Sequence, residues 1–154
     1  MPPKAKPIPD GFHSVSPYLV VHDAAAALDF YARAFGAKEL FRMPGPGGKV
    51  MHAEMQLGDS RILLSDESPE MGSRSPRTLK GSAVGLLVYT EDVDALHARA
   101  LAAGAQAKAP PADMFWGDRW CALVDPFGHE WQLATHKEDL TPEEMAKRAA
   151  AAMA

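Results

Sequence analysis

Residues 125–136, DPFGHEWQLATH, hold His129, Glu130, Gln132 and His136 close together along the chain. Imidazole, carboxylate and amide are the donor types from which a divalent-metal site or an acid/base pair is assembled. A second group, His52, Glu54 and Gln56, stands at alternate positions of VMHAEMQL. A third, Trp116-Gly117-Asp118-Arg119, sets a flat apolar surface and a flexible glycine beside a carboxylate and a guanidinium. That combination suits an organic ligand with an anionic or polar group, since Trp gives a stacking face and Arg a forked donor. Each group also has a purely structural reading: a turn histidine bonded to nearby backbone, an edge strand with polar groups in water, an Asp118–Arg119 pair that fixes a loop.

The elements that carry these residues must decide. Successive side chains of a strand point to opposite faces. In the final strand His129, Trp131 and Leu133 share one face, and Glu130, Gln132 and Ala134 the other. Trp131 and Leu133 belong against helices, which turns Glu130 and Gln132 toward any cavity. Around His52, the residues Ala53, Met55 and Leu57 form the opposite, apolar face. If that face packs on a helix, the cavity gains an imidazole and a carboxylate; if the strand lies at an edge, both face water. His136 reads as a surface or packing residue, and His13, His22 and His97 as solvent-facing.

Those elements come as a faint duplication, the first thing to look for in any chain. PYLVVHDAAAALDFYARAFGA (17–37) is a β-rich run, an Asp23 N-cap, a helix with Leu28, Tyr31 and Phe35 on one face, and a Gly36 stop. GLLVYTEDVDALHARALAAGA (85–105) repeats it: Glu91 and Asp92 open the helix, Val93, Leu96 and Ala100 mark its buried face, and Gly104 ends it. Two alternating runs follow each helix, HAEMQLGDSRILLSDE around a Gly-Asp-Ser turn and RWCALVDPFGHEWQLATH around Asp-Pro-Phe-Gly. The predicted organisation is a disordered tail (1–11), a first βαβββ module (12–66), a Ser/Pro/Gly-rich linker or mobile loop (67–81), a second module (82–136) and a C-terminal helical extension (137–154), capped by Thr141, Pro142 and Glu144. The predicted fold is α+β: two modules side by side form a curved mixed sheet with helices outside and a concave cavity inside.

Composition narrows the function classes. The 154 residues fit one domain or two small halves sharing a core. A net charge of −4, with acids interleaved among the bases, argues against a nucleic-acid surface. Cys121 is the single cysteine, so no intrachain disulfide or thiolate zinc knuckle can form, and a reducing cytoplasm is the simple location. The proline-rich start, Met1–Pro9, has no apolar core of a secretory signal, and no apolar run reaches the ~20 residues that span a bilayer. Neither a phosphate-binding glycine loop nor a nucleophile elbow is present.

The paired modules, with LDFYARAFGA in the first helix and DPFGHEWQLATH in the last strand, resemble the vicinal oxygen chelate superfamily of glyoxalases, bleomycin-resistance proteins and extradiol dioxygenases. VMHAEMQLGDSRILLSDE, MFWGDRW and the C-terminal DPFGHEWQLATHKEDLTPEEMAKR are similar to its PhnB-like branch. The resemblance implies four metal-ligand positions, which fall on Ser16, Leu63, Gly85 and Gln132, and only Gln132 carries a ligand type the superfamily uses. The expectation is therefore no metal or other cofactor, and a small organic molecule bound by Trp116, Arg119, Tyr18, Tyr89, Gln132 and Ser16. The competing expectation is an enzyme: a metal-dependent isomerase, lyase or dioxygenase with displaced ligands such as His52, Glu54 and Glu130, or a metal-free acid/base catalyst using Glu130 or the His52–Glu54 pair. A homodimer follows by analogy with the superfamily.

Overall fold

Asp23 and Asp92 are extended, and each carboxylate accepts from the backbone N–H three residues on, Ala26 and Ala95, at 3.0 Å. These caps start the two long helices that organise the computed structural model, which describes residues 1–154. The order is β1 (Tyr18–Val21), α1 (Ala24–Phe35), β2 (Lys38–Pro44), β3 (Val50–Leu57), β4 (Ser60–Asp66), α2 (Pro76–Leu79), β5 (Gly85–Tyr89), α3 (Val93–Ala103), β6 (Gln106–Asp113), β7 (Asp118–Val124), β8 (Glu130–His136) and α4 (Pro142–Ala152). Gly36 ends α1 in the left-handed region at φ 71°, a conformation that a side chain would disfavour.

The chain divides into two compact units, Met1–Lys80 and Gly81–Ala154. Each is a four-stranded mixed sheet built as βαβββ, in the orders β1-β4-β3-β2 and β5-β8-β7-β6. The fold is α+β with the duplication expected from sequence. In both units the first strand pairs parallel with the last, which the intervening helix makes possible, and the other ladders are antiparallel.

Apolar periodicity fixes which sheet face meets the helix. In the first unit Phe30, Tyr31 and Phe35 of α1 cluster edge-on and stacked, and pack the buried Leu19, Val21, Ala53, Met55 and Leu64 into one core. In the second, Val93 and Ala100 of α3 accompany the buried Cys121, Leu123, Trp131 and Leu133. Burial pushes the Cys121 thiol pKa up, so the lone cysteine behaves as a core residue rather than a nucleophile.

One expectation needs correction, and two segments carry structure that no local pattern announces. The 67–81 connector is not structureless. Pro69–Met71 forms a short 3-10 turn, Ser68 bridges Ser73, and the Glu67 carboxylate accepts from the Ser75 backbone (2.7 Å) and the Thr78 hydroxyl (2.8 Å) to hold α2. QAKAPPAD, whose short alternation breaks at Pro110 and Pro111, is nevertheless strand β6, with register shifts between Ala107 and Ala109 and between Ala109 and Ala112. His22 and His97 are half-buried rather than solvent-facing; of these three only His13 is exposed. No helix is long and apolar enough to cross a membrane.

Candidate functional site

Each sheet has one face covered by its helix and one open face, and residues paired across strands share a face. In the first unit the row Tyr18–Leu63–Glu54–Phe41 runs across all four strands of the open face. His52, Gln56 and Arg61 flank it. The strand carrying His52 and Glu54 is interior, between β4 and β2, so the edge-strand alternative is overturned.

These side chains are linked. Tyr18 Oη lies 2.8 Å from His52 Nδ1, His52 Nε2 is 3.4 Å from Glu54 Oε1, and Arg61 donates to Glu54 Oε2 and to Gln56 Oε1, both at 3.3 Å. A carboxylate only accepts, so the facing Nε2 carries the hydrogen, and Nδ1 of a neutral ring then accepts from the phenol. The Phe12 ring sits 4.6 Å from the Arg61 guanidinium carbon, a cation–π contact that brings residue 12 against this face.

The open face of the second unit has three rows: Gly85–Glu130–Val124, Leu87–Gln132–Ala122 and Tyr89–Ala134–Trp120. The Trp120 indole donates to Gln132 Oε1 at 2.9 Å, and the Trp116 ring stands edge-on to Trp120 at 6.0 Å. At the end of this face Asp118 is buried at 5% exposure and accepts from the Tyr89 hydroxyl (3.0 Å) and meets His136 Nδ1 (2.7 Å). His136 Nε2 faces Asp139 at 2.8 Å. Asp118 also holds the Tyr89 phenol above its usual range.

With carboxylates at both ring nitrogens, His136 binds its partners best as an imidazolium, and its pKa is raised first by Asp118 and then by Asp139. A histidine pKa raised on folding contributes stability that is complete below the unfolded value near 6.5 and disappears as pH climbs through the folded value. An NMR titration of the His136 ring should therefore show a midpoint above 6.5 that falls in Asp118→Asn. A wild-type midpoint at or below 6.5 would refute the clamp.

Several assigned roles move. Arg119 lies on the helix side with Cys121 and Leu123, where Asp94 of α3 grips it at 2.7 and 2.9 Å and Asp113 at 3.2 Å. Its forked donor is thus already satisfied, and no Asp118–Arg119 pair forms. These bonds raise the Arg119 pKa and lower that of Asp94. Glu130 is on the open face, but Lys108 holds its carboxylate at 2.7 Å. Gly117 is not flexible: at φ 98° a Cβ would stand 2.7 Å from the Glu138 carbonyl oxygen. His129, by contrast, keeps its reading as a turn residue, with its backbone N–H going to Asp125 Oδ1 at 3.0 Å. Sequence reasoning missed Trp120, Phe41 and Arg61. Period-two alternation with Cys121 and Leu123 was the signal that placed Trp120, not Arg119, on the open face.

The four implied ligand positions have little to offer a cation. Ser16 precedes β1, Leu63 ends in hydrocarbon, and Gly85 has no side chain. The Gln132 oxygen is taken by Trp120. A divalent site needs ~4 nitrogen or oxygen donors, so the residues at these positions do not fit the superfamily's metal.

Comparison with known proteins agrees with this architecture. Residues 11–133 match the family model described as the glyoxalase/bleomycin resistance protein/dioxygenase superfamily. The protein Rv0887c of Mycobacterium tuberculosis is 42% identical over 135 residues, covering 86% of this chain and 79% of that one. Among solved structures, TioX from Micromonospora sp. ML1 is 28% identical with a TM-score of 0.66, covering 80% of this chain and 98% of its own. The PhnB protein from Bacillus cereus, at 20% identity and a TM-score of 0.62, shares the fold over 80% of this chain and 99% of its own. With its duplicated βαβββ units and a family match that spans most of both, this chain belongs to the glyoxalase/bleomycin resistance protein/dioxygenase superfamily.

Proposed function

We propose that this protein binds a small organic molecule on the open faces of its sheets, without the superfamily's divalent metal. One observation carries the reading. A sheet face meant for water turns polar side chains outward, whereas these faces present Tyr18, Phe41, Leu87 and Tyr89 at 50, 46, 49 and 59% exposure. Aromatic and apolar groups interleaved with Gln132, His52 and Glu54 offer a flat ligand a surface to cover and a few directional partners. The same reading takes the protein as a cytoplasmic homodimer, from the lone reduced cysteine and from superfamily analogy.

Trp120→Ala should weaken binding of a bicyclic aromatic probe such as 2-acetylnaphthalene by about tenfold, measured by calorimetry. Unchanged affinity would remove the second sheet from the site.

A second reading, acid/base catalysis, is favoured by the Tyr18–His52–Glu54 chain. Its carboxylate orients the imidazole, and the imidazole can take the phenol proton, an arrangement suited to proton transfer beside a carbonyl. Turnover of a small ketoacid that His52→Asn abolishes while probe binding survives would favour it; absence of turnover in the wild type would dismiss it.

A further inference from the structure

The amide of Gln132 has only one possible orientation. An indole nitrogen donates and never accepts, so the atom that Trp120 Nε1 meets at 2.9 Å must be the carboxamide oxygen. The two N–H donors of Nε2 are then left over, and no hydrogen bond within the chain uses them.

Gly85 opens the space beside them. A Cβ built there would stand 3.5 Å from Gln132 Nε2, with only the Glu130 carbonyl oxygen, at 3.9 Å, as a further neighbour. Gly85 is not among the glycines with positive φ, so the backbone does not demand glycine at the start of β5. What the missing side chain provides is access, and glycine in a strand often marks the close approach of a ligand. The surroundings are apolar: Leu87 and Ala122 share the row of Gln132, and Trp120 and Tyr89 share the next.

We propose that Gln132 Nε2 is the recognition donor for a carbonyl oxygen carried on a flat aromatic ring, with the ring lying over Leu87 and Trp120 and Gly85 leaving room for the carbonyl. This rests on the ligand-binding reading above and names its chemistry. Trp120 has two roles in it, as part of the apolar platform and as the positioning residue that fixes the amide.

Two probes of one shape isolate the carbonyl: 2-acetylnaphthalene and 2-ethylnaphthalene. Calorimetry on the wild type should show about tenfold tighter binding of the ketone, the size of one hydrogen bond in a desolvated site. Gln132→Glu keeps an oxygen for Trp120 but replaces the donor by an acceptor. It should erase the preference for the ketone, and a far-UV circular dichroism spectrum and thermal transition like those of the wild type report a folded protein. Gly85→Ala, compatible with the strand backbone, should reduce the preference as well, and it decides the matter if Gln132→Glu fails to fold. Equal affinity of the two probes for the wild type, or a preference that survives in the folded variant, overturns the inference and leaves ligand binding intact. Failure of both probes to bind the wild type overturns the ligand-binding reading itself.

Discussion

Asp125→Ala is expected to lower stability by about 3–5 kcal/mol, because it takes the acceptor from several buried N–H groups at about 1–3 kcal/mol each. Asp125 is 3% exposed, and its two oxygens take three N–H groups: the Phe127 backbone (2.8 Å), the His129 backbone (3.0 Å) and the Trp131 indole (2.8 Å). One carboxylate thus closes the Asp-Pro-Phe-Gly turn and anchors the largest side chain among those fully buried. Alanine leaves the Trp131 donor in the core without this acceptor, at 1% exposure. Asparagine is the informative control, since its oxygen can still serve the backbone while its NH2 meets the indole donor. Urea denaturation at unchanged m measures the difference, and a loss below about 1 kcal/mol for alanine would show that the turn is held by something else.

Gly117→Ala should cost about 2–3 kcal/mol, from a backbone conformation that side chains rarely adopt together with a close backbone approach. At φ 98° the added Cβ would lie 2.7 Å from the carbonyl oxygen of Glu138. The Gly117 carbonyl also accepts from Lys137 (2.9 Å) and Glu138 (3.0 Å), so the loop cannot shift without releasing the segment after β8. Arg148 further ties this segment, donating to Glu138 at 2.7 Å. The expected fall in melting temperature is roughly 5–10 °C. A melting temperature within about 1 °C of the wild type would mean that the loop accommodates the methyl group freely.

Much of the fold was legible because its signals are local. Asp23, Asp92 and Thr141 cap helices as their types and positions require, and Gly36 stops α1. Alternation correctly put Trp131 and Leu133 against the helical side and Gln132 on the other. Strand β6 was not legible, because Gln106–Asp113 carries two prolines and neither a buried apolar face nor a regular register. The candidate site was read less well, for two distinct physical reasons. Trp120 was available from the pleat, yet Trp116 and Arg119 attracted attention by chemical type alone. The partners of Asp118 were not available at all: Tyr89 and His136 reach it across strand pairings whose register no local pattern specifies. Likewise the need for glycine at 117 comes from Glu138, a neighbour brought in by the chain's return after β8.

The central claim is that an organic ligand is held by aromatic faces and an oriented amide, with no cation between them. Its most direct test is a calorimetric titration of 2-acetylnaphthalene into the full chain before and after exhaustive chelation. The account predicts the same affinity in both, whereas binding that vanishes on chelation and returns with stoichiometric zinc, nickel, manganese or iron would contradict it.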